Sequence, residues 1–106
     1  MALAAEQLPL DQLQGLLKAL SDPRRLELAM ALAEGERCVC ELTEELGLAQ
    51  SKLSFHLKVM RQAGLLEARE QGRWVYYRLR PEALDAVSAW LAALKERCGR
   101  SARSCG

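Results

Sequence analysis

Cys38-Val39-Cys40 places two thiols on either side of one apolar residue. Thiolate sulfur is the preferred donor of soft, thiophilic ions. A thiol at a helix N-terminus is drawn toward the thiolate by the helix dipole, and the neighbouring Arg37 pushes the same way. In a regular helix residues i and i+2 lie about 200° apart, so two such sulfurs cannot address one ligand. Chelation by Cys38 and Cys40 therefore requires the helix start to fray or unwind, and that requirement is itself a switch. The competing reading is that these cysteines are small apolar residues. Cys98 and Cys105, near the other end of the chain, are the remaining thiols, either as further ligands or as unrelated exposed groups.

A second chemistry lies in the charge distribution. The chain carries a net charge of +1, yet residues 50–80 hold seven basic and two acidic side chains, whereas residues 1–49 hold four basic and nine acidic. A basic block in an otherwise acidic protein is the footprint of a phosphate-facing surface. Its basic members are Lys52, Lys58, Arg61, Arg69, Arg73, Arg78 and Arg80. A solvated charged face is the alternative, so the shape of the block decides.

The elements that position these groups are legible in the apolar periodicity. Leu10, Leu13, Leu16, Leu17 and Leu20 predict a first amphipathic helix. Ser21 or Asp22 can cap a second, with Pro23 in its first turn and the stripe Leu26, Leu28, Ala29, Leu32 and Ala33 running to Gly35. A two-turn helix from about Val39 to Leu46 ends at Gly47 as a left-handed cap. After Leu48-Ala49-Gln50 a fourth helix runs from near Ser51 to Gly64. Two short helices joined by a glycine-containing turn, the second basic and polar, form a helix-turn-helix pattern.

Leu53, Leu57 and Met60 define the buried stripe of the fourth helix, leaving Ser51, Ser54, Phe55, Lys58 and Gln62 outward. With Gln50 and Lys52 at its start, this is the face expected to enter a major groove. Ser and Lys there would meet phosphates or base edges, and Phe55 a thymine methyl. Leu65 to Arg69 and Trp74 to Leu79 read as strands around Glu70-Gln71-Gly72-Arg73, a β-hairpin placed as a wing. Arg73 at its tip is expected to reach a minor groove. Pro81 opens a last helix through Leu84, Val87, Leu91 and Leu94, with Trp90 nearby. The fold class is mainly α with a small β-hairpin: a winged helix-turn-helix.

With 106 residues there is room for one domain, expected over 1–98, with 99–106 as a mobile tail. No stretch approaches the ~20 apolar residues of a membrane span, and Met1 to Leu10 does not read as a signal peptide. A cytoplasmic location follows as the expectation, and with it reduced cysteines. An oxidoreductase is disfavoured because the cysteines are CxC and no catalytic base accompanies them. The basic block and Arg73 argue against a module that binds only protein. No enzyme activity and no constitutive cofactor are expected.

The segments LSDPRRLELAMAL (20–32), ERCVCELTEELGLAQSKLSFHLKVMRQAGLL (36–66) and REQGRWVYYRL (69–79) together resemble the ArsR/SmtB family of metal-responsive bacterial repressors. The resemblance covers roughly Leu10 to Leu94. It implies a homodimer formed through the N- and C-terminal helices, with two recognition helices on a two-fold symmetric, double-stranded operator. CVCEL is similar to the cysteine motif of the arsenite- and antimonite-sensing branch and of the cadmium- and lead-sensing branch. The resemblance implies a repressor released by trivalent arsenic or antimony, inorganic or methylated, with cadmium, lead or zinc sensing and thiol oxidation as alternatives. The family pattern keeps a histidine at His56, for which a phosphate or structural role is expected rather than metal ligation. The zinc site that other branches build on the last helix is absent, since that helix has no histidine. The arsenite pattern often adds a third cysteine three residues beyond the second, which here is Thr43. A two-sulfur site suits a monomethylated arsenical, three sulfurs suit inorganic arsenite or antimonite, and four suit a tetrahedral divalent ion.

Overall fold

A computed structural model of the chain describes residues 9–105. The amino-terminal segment considered above as a signal peptide falls outside them at residues 1–8, as does residue 106 of the tail. The described residues form five helices and a small sheet: α1 (Leu10–Ala19), α2 (Pro23–Leu32), β1 (Arg37–Cys38), α3 (Val39–Leu46), α4 (Gln50–Gln62), β2 (Leu66–Gln71), β3 (Trp74–Leu79) and α5 (Pro81–Arg97). No helix among them is long and apolar enough to cross a membrane.

Local signals set the boundaries. Asp22 caps α2, accepting from the backbone N–H groups of Arg24 at 2.8 Å and Arg25 at 3.3 Å, and Pro23 takes the first helical position. Gly47 ends α3 at φ +62°, in the left-handed region that only glycine enters cheaply. The stripe of α4 is buried as expected: Leu53, Leu57 and Met60 are fully enclosed with Leu28 of α2, Leu42 of α3 and Leu65. That cluster locks the helix-turn-helix pair α3–α4 onto α2. α1 packs along α5 and carries Leu13, Leu16 and Ala19 inward.

Three expectations are corrected. The wing hairpin is tighter than expected: Glu70 and Gln71 belong to β2, paired with Val75 and Trp74, so only Gly72 and Arg73 form the loop. Gly72 at φ +62° supplies the positive torsion that such a two-residue turn needs at its first position. The sheet also has a third strand, in the order β1–β3–β2, because Arg37 and Cys38 pair antiparallel with Tyr77 and Tyr76. A two-residue strand has no periodicity to read, which is why the sequence conceals it. Leu26 faces solvent, because α2 needs only Leu28 and Leu32 to meet the core.

Candidate DNA interface and thiol site

The outward face of α4 is assembled as its periodicity requires. Gln50, Ser51, Lys52, Ser54, Phe55 and Lys58 are exposed, and Phe55, at 60 % accessible, is a large apolar side chain held out in water. α4 begins without a side-chain cap, Ala49 having none to offer. Arg73 stands at the hairpin tip, its guanidinium 5.5 Å from the ring centre of Trp74.

The basic block divides. Arg69 donates from Nε and Nη2 to both carboxylate oxygens of Glu36, at 3.1 and 2.7 Å, and lies 4.6 Å over the Tyr76 ring. Its hydrogen bonds and charge, helped by Arg78, hold the Glu36 carboxyl below the ordinary range against a smaller opposing effect of burial. Arg78 pairs with Glu67, and Arg80 lies 3.9 Å from Glu82. These three arginines face carboxylates of the same chain: Glu36 before β1, Glu67 in β2 and Glu82 in α5. The exposed cations of α4 and the hairpin tip are Lys52, Lys58, Arg61 and Arg73.

His56 lies half-buried at the flank of α4, where Arg25 of α2 meets it. Arg25 Nη1 is 3.1 Å from His56 Nδ1, and Arg25 Nε donates to the Ala19 carbonyl at 2.6 Å. A guanidinium only donates, so this contact needs Nδ1 as its acceptor, with a ring proton on Nε2. His56 thus points a donor away from Arg25, beside Arg24, Ser51 and Lys52 in an open cleft. Arg24 and Arg25 are residues that sequence reasoning missed. The signal available was their place after the Asp22 cap, but which helix they face is a tertiary fact.

The thiol site departs from expectation in an informative way. Cys38 is the N-cap of α3, with extended backbone at φ −83° and ψ 160°, and Cys40 lies two residues into the helix. Because Cys38 stands outside the helical turn, the 200° separation does not apply. The two sulfurs meet without any unwinding and are joined as a disulfide, with Cα atoms 5.4 Å apart, rather than held as separate thiols. Cys38 is buried and Cys40 exposed. Cys38 Sγ also accepts from the Glu41 N–H at 3.4 Å while the Glu41 carboxylate accepts from the Cys38 N–H at 3.0 Å, a reciprocal cap. Arg37, expected to act on the thiols, pairs with Glu45. Cys40 opens onto a cleft of about 410 Å³ shared with Thr43, with Gln50 and Ser54 of α4, and with Arg73, Trp74 and Tyr77 of the wing.

Cys98 is the C-cap of α5, its thiol donating to the Lys95 carbonyl at 3.2 Å, and Cys105 lies exposed in the tail. Among the described residues of one chain, no group of three or more His, Cys, Asp or Glu side chains is arranged to hold a metal ion.

A recognition helix with an outward polar face, backed by a buried stripe and flanked by a two-strand wing, defines a winged helix-turn-helix DNA-binding fold. Residues 22–68 match the family described as bacterial regulatory protein, arsR family. The chain is 51 % identical over 75 residues to the arsenic resistance transcriptional regulator ArsR1 of Pseudomonas putida, covering 70 % of this chain and 59 % of that protein. It is 43 % identical over 86 residues to the arsenical resistance operon repressor of Escherichia coli, covering 80 % and 70 %. A solved ArsR-family transcriptional regulator superposes with a TM-score of 0.80 at 29 % identity, over 89 % of this chain and 98 % of that one. The chain belongs to the arsR family of bacterial regulatory proteins, and is a DNA-binding transcriptional regulator rather than an enzyme.

Proposed function

We propose that the chain is a cytoplasmic, homodimeric repressor that holds a two-fold symmetric operator until trivalent arsenic or antimony binds Cys38 and Cys40. Operator contact comes from Gln50, Ser51, Lys52, Ser54, Phe55, His56 and Lys58 on α4 and from Arg73 on the wing. Leu10 and Leu17 of α1 and Leu84, Leu91 and Leu94 of α5 supply an apolar face for the second subunit. The names of the two relatives support the inducer class.

One observation carries the switch. Cys38 is at once the cap of α3, a strand residue paired with the wing at Tyr76, and the partner of the Cys40 sulfur. A metalloid bridging the two reduced sulfurs takes the Cys38 sulfur from the Glu41 N–H and pulls on helix and wing together. To turn a nearly fully bound population into a nearly fully free one, the ligand must favour the released form by about 10⁴-fold, or ~5.5 kcal/mol. Two or three arsenic–sulfur bonds are of a kind to supply that. Cys98 and Cys105, from the same or the partner subunit, are the remaining thiols for a larger set that would also suit cadmium, lead or zinc.

The disulfide favours a second reading, in which the same repressor answers to oxidation. Hydrogen peroxide would take two electrons from the thiol pair, giving the disulfide and two waters. Fluorescence anisotropy on the chain's own upstream DNA separates the readings. Arsenite or antimonite releasing the reduced protein, with Cys38→Ser and Cys40→Ser binding DNA but not responding, supports the metalloid sensor. Release by peroxide alone supports the redox switch, and binding indifferent to both places the switch elsewhere.

A further inference from the structure

A B-form major groove is about 12 Å wide and a helix with its side chains is nearly as broad, so a helix seated there meets a phosphate strand along each flank. The flank of α4 toward the wing holds Gln50 and Ser54, which share a cleft with Arg73. The opposite flank holds Lys52 and His56, one turn apart. They share an open cleft of about 430 Å³ with Ser51 and Phe55 and, from α2, with Arg24. The two arginines after Pro23 have divided roles. Arg25 is spent inside the protein, with Nε donating to the Ala19 carbonyl at 2.6 Å and Nη1 meeting His56 Nδ1 at 3.1 Å. Arg24 turns outward, its Nη1 3.0 Å from Glu27 Oε1, and each of these two side chains is about half exposed. An exposed ion pair within one helix is weak and exchangeable. The Asp22 carboxylate already accepts from the Arg24 and Arg25 N–H groups, so an anion at this end of α2 is met by side chains and not by the helix terminus.

We infer that Arg24 of α2 is a DNA-backbone contact which, with Lys52 and His56, clamps the phosphate strand on the side of α4 away from the wing. The inference rests on the reading of α4 as the operator-facing helix. On binding, the Arg24 guanidinium leaves Glu27 for a phosphate. Two parallel N–H groups can then engage one anion, whereas only Nη1 reaches Glu27. The wing grips one strand through Arg73 and α2 grips the other, so the recognition helix is held from both flanks. A phosphate contact positions the protein without reading bases, so Arg24 strengthens binding to operator and to unrelated duplex alike. Glu27 is the built-in competitor for that contact.

The test follows the full chain by fluorescence anisotropy on its own upstream DNA and on a scrambled duplex of equal length, across a range of KCl concentrations. Arg24→Ala keeps the backbone N–H groups that Asp22 caps, so its urea midpoint should stay near wild type. It should weaken both duplexes by a similar factor, about tenfold at low salt. The slope of log affinity against log salt should fall by about one for each subunit engaged. Arg24→Lys should retain the slope. Glu27→Gln should tighten binding about threefold by removing the competitor, and that gain should largely vanish when Arg24→Ala is added. Ethylation of operator phosphates should interfere at one position that Arg24→Ala no longer senses, distinct from the position lost in Arg73→Ala. An Arg24→Ala slope equal to wild type, with Lys52→Ala still lowering it, overturns the inference and spares α4 as the operator-facing helix. Slopes unmoved by Arg24→Ala, Lys52→Ala and Lys58→Ala alike overturn both.

Discussion

At the scale of single residues, position rather than type gives the reactive groups their roles. A CxC pair is a poor chelate inside a helix, yet here one cysteine is the cap and the other is in the first turn, so their sulfurs converge. His56 is defined in the same way by its neighbour. Arg25 accounts for its Nδ1, and the Nε2–H that remains is the group able to meet a phosphate oxygen. Arg25→Leu should therefore shift the His56 ring from a single Nε2–H tautomer to a mixture, seen in long-range ¹H–¹⁵N spectra. Operator affinity should fall about fivefold, as for loss of one ordered hydrogen bond of ~1 kcal/mol. An unchanged tautomer would show that Arg25 does not orient the ring.

At the scale of elements, α2 and the wing carry different loads. Asp22 holds the start of α2: partial burial opposes its charge, and the N–H groups of Arg24 and Arg25 with the charge of Arg25 outweigh that and lower its pKa. Asp22→Ala should lower the midpoint of urea denaturation. The sign with pH follows from the lowered native value. The contribution of the cap is complete above the ordinary aspartate pKa and disappears as pH falls through the lower native one. Wild type and Asp22→Ala should thus differ at neutral pH and converge in strong acid, and a constant difference would rule out the charged cap. In the wing, Arg69 and Arg78 are engaged with Glu36 and Glu67. Arg73→Ala should lower the slope of log affinity against log salt by about one, as expected for a lost phosphate contact, whereas Arg69→Ala should leave the slope nearly unchanged.

At the scale of the whole molecule, α1 and α5 together carry one set of the apolar side chains left outside the core. Leu10, Leu91 and Leu94 are each at least half exposed, and Trp90 joins Leu10, Leu13 and Leu17 along one groove. A second copy covering this face would set two recognition helices at a fixed spacing, so that binding the second half-site becomes intramolecular. Leu91→Glu should give a folded monomer by sedimentation, with operator affinity reduced by 10² or more, roughly the gain that linked binding provides. A variant that remains dimeric would move the interface away from α5.

Much of this molecule is determined by sequence-local physics. The Asp22-Pro23 start, the Gly47 stop, the Leu53-Leu57-Met60 stripe and the glycine-bearing hairpin each follow from torsional preference or helical periodicity. From them the winged helix-turn-helix and the outward face Gln50–Lys58 can be read without coordinates. What only the tertiary structure decided are relations between segments distant in the chain. The pairing of Arg37 and Cys38 with β3 leaves no local pattern, because two residues cannot alternate. The division of the basic block depends on Glu36 lying across from Arg69, thirty-three residues away. The cleft that joins Cys40 to Trp74 exists only because α3, α4 and the wing fold around it. Local sequence carries the conformational cost of each residue, whereas a site is a matter of which side chains packing brings within reach of one another.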